Sequence, residues 1–305
     1  MTDLKQLKEA LKPFCSEDSL IENCPMADHT TFKCGGNAAL FAVPENEAAL
    51  AAVIRIAQEQ QVPFLLMGNG SNLLFSDSGY PGLVIRLGEG FSKIRVSGST
   101  IYAGAAALLS AISNAAAANS LSGMEFACGI PGSLGGAIFM NAGAYGGEMK
   151  QIVSSVRTLD REGHFHILAA EELPLSYRHS VFEENGQILL EAELSLTPAD
   201  KEEVLSRMRQ LTLQRTAKQP LSYPSAGSFF KRPEGYFAGK LVQDAGLKGL
   251  TVGGAQISEL HAGFVINKGG ATATDVIDLM KIVQETVMSR FGVMLQPEVK
   301  IIGDY

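Results

Sequence analysis

The stretch GMEFACGIPGSLGGAIFMNAGAYGGE, from Gly123 to Glu148, constrains this chain more than any other. It consists almost wholly of glycine, alanine and small apolar residues. Glycine weakens helices and strands because the unfolded chain has more freedom to lose there. Glycine at this density marks a backbone that bends unusually or that another group must approach closely. A shorter run, LLMGNGSNLL at 65–74, has the same texture.

Two common phosphate loops are absent. No GxxxxGK[ST] string occurs, which argues against a kinase or ATPase of the P-loop class. GNGSNLL lacks the third glycine of GxGxxG and no helical pattern follows it, which argues against a Rossmann dinucleotide site. What the two runs share is a supply of backbone N–H groups beside small side chains, the makings of an anion-binding nest. Asn69, Ser71, Asn72, Ser133 and Asn141 offer side-chain donors as well. The alternative is that these glycines only make tight turns in a β-rich domain. Two such runs, separated by strands able to bring them face to face, favour a large phosphorylated cofactor.

The 305 residues allow two or three domains, and a net charge of -7 argues against a general nucleic-acid binder. MTDLKQLKEALKPF reads as a short amphipathic helix and lacks the apolar core of a signal peptide, and no stretch has the length of a membrane span. A cytoplasmic protein is expected. Cys15, Cys24, Cys34 and Cys128 show neither CxxC nor zinc spacing and are expected as free thiols. Cys34 and Cys128 stand inside glycine motifs, where small-core packing is the simpler role than chemistry. His29, His164, His166 and His179 form no metal pattern, so no metal is expected.

ENEAALAAVIRIAQEQ predicts a helix with Leu50, Val53, Ile54 and Ala57 on one face. VPFLLMG, GLVIRL, STIYAGAAA and QILLEAELSL read as strands, LLSAISNAAAANS as a helix, and IVSSVRTLD-REG-HFHIL as a hairpin. DHTTFKCGGNAALFAVP reads as strand-like, broken at Gly35-Gly36. Asp200, three residues ahead of Glu203, opens a helix with a Val204, Met208, Leu211 stripe that begins a second unit. A long helix from about Thr274 to Arg290 follows, with Gly292 as its C-cap, and VMLQPEVKII closes the chain as a strand.

TTFKCGG, GNGSNLL, GIPGSLGGAIFMNAGAYGGE, SYRHSVF, AGSFFKRP, AGKLVQDAGLKG, HAGFVIN and QPEV occur in that order. Together they resemble the UDP-N-acetylenolpyruvoylglucosamine reductases over nearly the whole chain, from about His29 onward. The resemblance implies an α+β protein: a two-subdomain, vanillyl-alcohol-oxidase-like FAD-binding fold plus a C-terminal α+β substrate-binding domain. The implied division is 1–27 as an N-terminal helical segment, 28–92 and 93–198 as FAD-binding subdomains, and 199–305 as the substrate-binding domain. It further implies non-covalent FAD, NADPH as electron donor, a UDP-sugar enolpyruvyl ether as substrate, and no obligate protein partner. By that likeness Gly68, Asn69, Gly70, Ser71 and Asn72 cradle the pyrophosphate. Gly123, Ile130, Pro131, Gly132, Ser133, Gly135, Gly136, Ala137 and Gly143 run against the flavin and its ribityl chain. On this view Gly135→Val abolishes flavin retention in a chain that still folds.

Reducing an enolpyruvyl ether leaves negative charge beside the carboxylate, which asks for a cation and a proton donor. Arg178 can hold a carboxylate bidentately, although on spacing alone an ion pair is its more ordinary use. Ser228 is a weak acid and, unaided, reads as a turn or cap residue. Glu298 sits in an apolar terminal strand, where burial raises a carboxyl pKa unless a cation is near. The resemblance makes Arg178 and Glu298 the enolate-stabilising pair and Ser228 the proton donor. It puts Lys218 on the substrate diphosphate, with Tyr177, Lys231, Arg232 and His261 lining the pocket. His261 reads equally well as an internally satisfied loop histidine. SVFEENGQILLEAEL leaves no room for the tyrosine-bearing insertion of some members, so the chain resembles the shorter, second type. A flavin oxidase or dehydrogenase acting on another substrate would share the glycine runs but has no reason to carry AGSFFKRP and QPEV.

Overall fold

A computed structural model describes residues 4–304, so the first three residues of the expected N-terminal helix lie outside the described residues. The chain folds as two packing units. One holds the described residues through Glu22, Leu40–Asn69 and Gly82–Arg215; the other holds Asn23–Ala39, Gly70–Pro81 and the described residues from Thr216 onward.

In the first unit, helix Glu47–Glu59 starts where Asn46 Oδ1 accepts the Ala49 N–H at 3.0 Å. Its predicted stripe of Leu50, Val53, Ile54 and Ala57 is buried with Leu40, Leu83 and Ile85, and with Leu7 and Leu11 of helix Leu4–Leu11. Strand Phe64–Met67 runs parallel to Tyr80–Arg86 in a sheet ordered Leu20–Pro25, Asn37–Ala42, Tyr80–Arg86, Phe64–Met67. Of the stretch read as strand-like before Asn37, Asp28 and His29 close a single 3₁₀ turn over Met26–His29, and 30–36 belong to no strand among the described residues.

A five-stranded antiparallel sheet follows, ordered Phe165–Ala169, Val153–Leu159, Ile188–Ser195, Thr100–Gly104, Ile94–Ser97. The expected hairpin is its first pair, with Leu159 opposite Phe165. Helices Leu109–Ala118 and Leu134–Phe139 share a core with it that includes Ile101, Ile112, Leu134, Ile138, Val156 and Leu194. Each fully buried aliphatic contributes about 1.5–3 kcal/mol, well above any propensity difference, so burial holds the glycine-rich helix where it is. Asp200 Oδ1 accepts the Glu202 and Glu203 N–H groups and so starts helix Lys201–Lys218, whose Val204 and Met208 pack on Ala117.

The second unit is an antiparallel sheet ordered Ser225–Ser228, Phe264–Asn267, Ala255–Ile257, Thr251–Val252. Against it lies helix Ala273–Phe291, which has a Thr272/Asp275 capping box and Gly292 at φ +68° as its cap. Asp77 doubles the N-terminal cap by accepting the Ala273 and Thr274 N–H groups, both at 2.8 Å. The predicted final strand shrinks to Lys300–Ile302, which pairs in parallel with Leu73–Phe75. Pro297 lacks an N–H, and it joins Phe230 in an isolated β-bridge.

Candidate active site

In the first unit the two glycine runs meet. Asn69 Nδ2 donates to the Pro131 carbonyl at 2.8 Å, and a Cβ placed on Gly68 would strike Ser133 Oγ. Ser133 is buried, yet its hydroxyl has no hydrogen-bond partner among the described residues. A buried hydroxyl without a partner costs about 1–3 kcal/mol, so one retained between two glycine runs points to a ligand acceptor.

The glycines answer to several demands. Gly123, at φ +124°, gives its N–H to Glu125 Oε2 at 2.8 Å. Gly132 accepts from the Leu109 N–H, and Ile130 donates to Ala127, which fixes the loop on both sides of Pro131. Gly135 donates to the Ala105 carbonyl, and a Cβ there would lie 3.1 Å from the Ala105 methyl and 3.2 Å from its oxygen. Gly143 has Gly147 O only 2.7 Å from where its Cβ would be. Part of the glycine content therefore serves the protein's own close packing. Valine at Gly135 would collide with Ala105, so that substitution tests the fold along with the flavin. Gly136 differs: it is exposed, and its nearest neighbour would be Ser133 Oγ at 3.6 Å. Ala137 is buried and its carbonyl accepts the Ala142 N–H.

Arg178 stands at the tip of a two-residue turn closed by reciprocal Ser176–His179 main-chain hydrogen bonds of 3.1 and 3.3 Å. Its φ of +55° is the left-handed region, which costs a non-glycine residue about 1–2 kcal/mol. Its Nη2 reaches the Gly143 carbonyl at 3.5 Å, and its Cζ lies 5.0 Å from the ring centre of the half-exposed Tyr177. Asn141, read from sequence as a ligand donor, turns its amide inward. Its Oδ1 accepts from the Lys150 N–H, and its Nδ2 donates to Glu148 Oε2 and Ser176 O.

In the second unit Ser228 ends its strand beside Gly227, whose φ of +78° makes an irregularity between the Ser225 and Ser228 pairings. Such bulges re-aim side chains. Ser228 is exposed, and its hydroxyl has no hydrogen-bond partner among the described residues. The next residue carries the Glu298 backbone: Glu298 N–H donates to Phe229 O at 2.8 Å, and Lys231 N–H to Gln296 O at 2.8 Å. Asn72, the other asparagine expected on a ligand, donates from Nδ2 to the Glu298 carbonyl at 3.1 Å. Gly70, at φ +63° with His29 O against it, and Ser71 complete that loop. This unit thus brings Ser228, Glu298 and Asn72 together.

Arg232 is exposed, donates from Nε to Tyr236 O, and stacks 3.9 Å from the centre of the Phe237 ring. Lys218 is exposed at the end of its helix. His261 accepts the Gly263 N–H on Nδ1 at 3.0 Å, and burial lowers its pKa, so it is the neutral, Nε2-protonated tautomer that the loop holds.

Three residues escaped sequence reasoning. Thr30, buried in the TTFKCGG motif, has an Oγ1 with no hydrogen-bond partner among the described residues, next to the Gly70 backbone. Arg215 lies against Gly129, half-buried and without a hydrogen bond or ion pair among the described residues, and burial lowers its pKa. Ser180 is fully buried and donates to Phe139 O at 2.7 Å. The enclosing motifs hinted at Thr30 and Ser180; no motif marked Arg215. The four cysteines are free; burial pushes Cys34 up to about 12, and Cys128 Sγ lies 3.9 Å from Met208 O. Among the described residues no helix is long and apolar enough to cross a membrane.

Residues 38–169 match the FAD binding domain family, and residues 219–302 match the C-terminal domain of UDP-N-acetylenolpyruvoylglucosamine reductase. The chain is 50% identical to the UDP-N-acetylenolpyruvoylglucosamine reductase of Alkaliphilus oremlandii over 304 residues, spanning the whole of both proteins. It is 46% identical to that of Clostridium perfringens over 303 residues, 99% of each. The crystal structure of the Thermus caldophilus UDP-N-acetylenolpyruvylglucosamine reductase is similar at TM-score 0.81 and 36% identity, covering 93% of this chain and 98% of that one.

Proposed function

The chain belongs to the UDP-N-acetylenolpyruvoylglucosamine reductase family, and from that premise we infer that it reduces the enolpyruvyl ether of UDP-N-acetylglucosamine to UDP-N-acetylmuramate, a peptidoglycan precursor. FAD is its cofactor and NADPH its electron donor. The observation that carries the reading is the meeting of the two glycine runs, through Asn69 and Pro131, around the unpartnered Ser133 hydroxyl. A phosphate oxygen or ribityl hydroxyl supplies the partner that Ser133 lacks. Gly68, Asn69, Gly70 and Ser71 then serve the pyrophosphate, and Gly123, Ile130–Ala137 and Gly143 the flavin. Asn72, whose amide faces Glu298, serves that loop through its backbone. Arg215 suits a phosphate too, since a half-buried guanidinium without a carboxylate gains most from an anionic ligand.

FAD, when bound, would supply the hydride, drawn from NADPH, that the terminal carbon of the enolpyruvyl group takes up. The remaining steps belong to the chain. Arg178 holds the substrate carboxylate in a fork and, with Glu298, stabilises the enolate as negative charge develops there. Ser228 Oγ–H gives its proton to the carbon beside the carboxylate and is reprotonated from solvent. The bulge at Gly227 presents that hydroxyl outward, and the Glu298 and Lys231 backbones are tied to the same strand end. Lys218 takes the substrate diphosphate, and Tyr177, Lys231, Arg232 and the neutral His261 line the pocket. As a division of labour, 28–92 and 93–198 hold FAD and 199–305 holds substrate, with 1–27 preceding them. The cytoplasm is the compartment this reading requires, because nucleotide sugar and NADPH meet there.

The test is the visible spectrum of the purified protein under anaerobic NADPH and then the enolpyruvyl sugar nucleotide. A flavin band that bleaches with NADPH and returns with that substrate supports the reading. A band that bleaches and does not return assigns another acceptor. No band after incubation with FAD overturns it.

A further inference from the structure

We propose that Asn141 and Ser180 are positioning residues that set Arg178 against the glycine-rich segment; the inference rests on Arg178 being the group that holds the substrate carboxylate. The turn Ser176–His179 that carries Arg178 is tied at both ends to one short stretch of chain. On the near side Asn141 Nδ2 donates to Ser176 O at 3.1 Å. On the far side Ser180 Oγ donates to Phe139 O at 2.7 Å. Between them Arg178 Nη2 reaches Gly143 O at 3.5 Å. All three contacts land within Phe139–Gly143, in the segment whose other residues are assigned to the cofactor.

These ties exceed what closing a turn requires. The Ser176–His179 main-chain bonds already close it. Asn141 and Ser180 are both fully buried, and a buried polar side chain is unfavourable unless its groups are satisfied. Asn141 meets that condition completely, with Oδ1 on the Lys150 N–H at 2.9 Å and Nδ2 on Glu148 Oε2 at 3.0 Å as well as on Ser176 O. Its identity follows from those partners: both groups facing Nδ2 are acceptors, so a carboxylate would be repelled there. Its φ of +40° is one that asparagine tolerates better than most residues. Arg178 itself sits in the left-handed region, a conformation that persists only where the surroundings over-determine it. The two ties supply that determination. A shift of roughly 1 Å in a charge-stabilising group lowers rate by about 10²-fold, so the ties act on the substrate step through Arg178.

The experiment compares Asn141→Ser, Ser180→Ala and Ser180→Thr holoenzymes, each alone and combined with Arg178→Ala. Stopped-flow absorbance reads flavin reduction by NADPH and flavin reoxidation by the enolpyruvyl nucleotide separately. Calorimetry reads affinity for the carboxylate-bearing product. Expected are unchanged flavin content and reduction rate, reoxidation slowed about 10-fold or more in Ser180→Ala, product affinity weakened in parallel, and recovery in Ser180→Thr. In the Arg178→Ala background Ser180→Ala adds nothing further, because its effect passes through Arg178. Losses that simply multiply in the double variant overturn the positioning role even where Asn141→Ser fails to fold. An Arg178→Ala enzyme that reoxidises at the normal rate overturns the reading of Arg178 beneath it, and the inference with it.

Discussion

Gly136 separates the protein's own need for glycine from a ligand's. It lies exposed inside helix Leu134–Phe139, and a Cβ there meets nothing closer than Ser133 Oγ at 3.6 Å, ordinary van der Waals contact. A glycine inside a helix is worse than alanine by about 0.5–1 kcal/mol, because the unfolded chain loses more freedom. Gly136→Ala should therefore stabilise the apoprotein, raising its melting temperature by about 2 °C for a chain of this size. Gly136→Leu, which places a good helix former at an exposed position, should leave it at least as stable as the native protein. If the space there belongs to the flavin, both variants lose what the apoprotein gains. A tenfold weaker Kd for FAD in Gly136→Ala corresponds to about 1.4 kcal/mol, and Leu should weaken it further. Scanning fluorimetry of the apoprotein and fluorescence titration with FAD measure the two quantities. Native FAD affinity in Gly136→Leu would refute the assignment of this helix to the cofactor. A destabilised apoprotein would instead refute the claim that a side chain at this position meets no internal clash. Gly135 cannot serve here, since Ala105 stands 3.1 Å from its would-be Cβ.

Ser228→Ala should leave flavin reduction by NADPH intact and slow reoxidation by substrate at least 10²-fold in stopped flow; equal loss in both half-reactions would remove Ser228 as proton donor. Gly227→Ala, strained at φ +78° although nothing lies within 4 Å, should cost about 1 kcal/mol in denaturant melts and slow the same half-reaction by re-aiming Ser228. Arg215→Met removes a half-buried charge with no partner among the described residues. The apoprotein should melt no lower, while affinity for FAD or for the substrate diphosphate falls about 10-fold; unchanged affinity for both would leave Arg215 without a ligand. Burial pulls the Asp77 carboxyl upward, but the Thr274 hydroxyl and the Thr274 and Ala273 N–H groups outweigh it and hold its pKa below the usual value. A depressed carboxyl stabilises the fold above its unfolded pKa of about 3.9 and loses that contribution as pH falls through the folded value. Asp77→Asn should cost about 1 kcal/mol at pH 7 and flatten the acid-side decline in melts below about pH 4.

Local physics was legible and distant pairing was not. The Glu47–Glu59 stripe, the Phe165 hairpin and the Gly292 stop all follow from neighbours within a few residues. Nothing local announces that 70–81 packs with the C-terminal part, because that arrangement rests on Lys300 meeting Leu73 and on Asp77 capping a helix that begins near residue 273. The site divides in the same way. Asn72 and Asn141 have the side chains of ligand donors, and their type told no more; the structure commits both amides to main-chain carbonyls beside Glu298 and Arg178. The glycines were legible as a demand for space. Whether the protein's own backbone fills that space differs between positions: Gly147 O stands 2.7 Å from the would-be Cβ of Gly143, while nothing closer than Ser133 Oγ at 3.6 Å faces that of Gly136.

The pairing of Leu73–Phe75 with Lys300–Ile302 sets a timetable for synthesis. A ribosome emits Leu73 long before Lys300, 300 − 73 = 227 residues later. At roughly 5–20 residues per second that interval is about 10–45 s. Throughout it, Leu74 and Phe75, both fully buried in the finished protein, wait on the nascent chain without their strand partner. Nascent-chain holding factors would find a long-lived target in this short strand, and premature release of the chain late in the message would leave it uncovered.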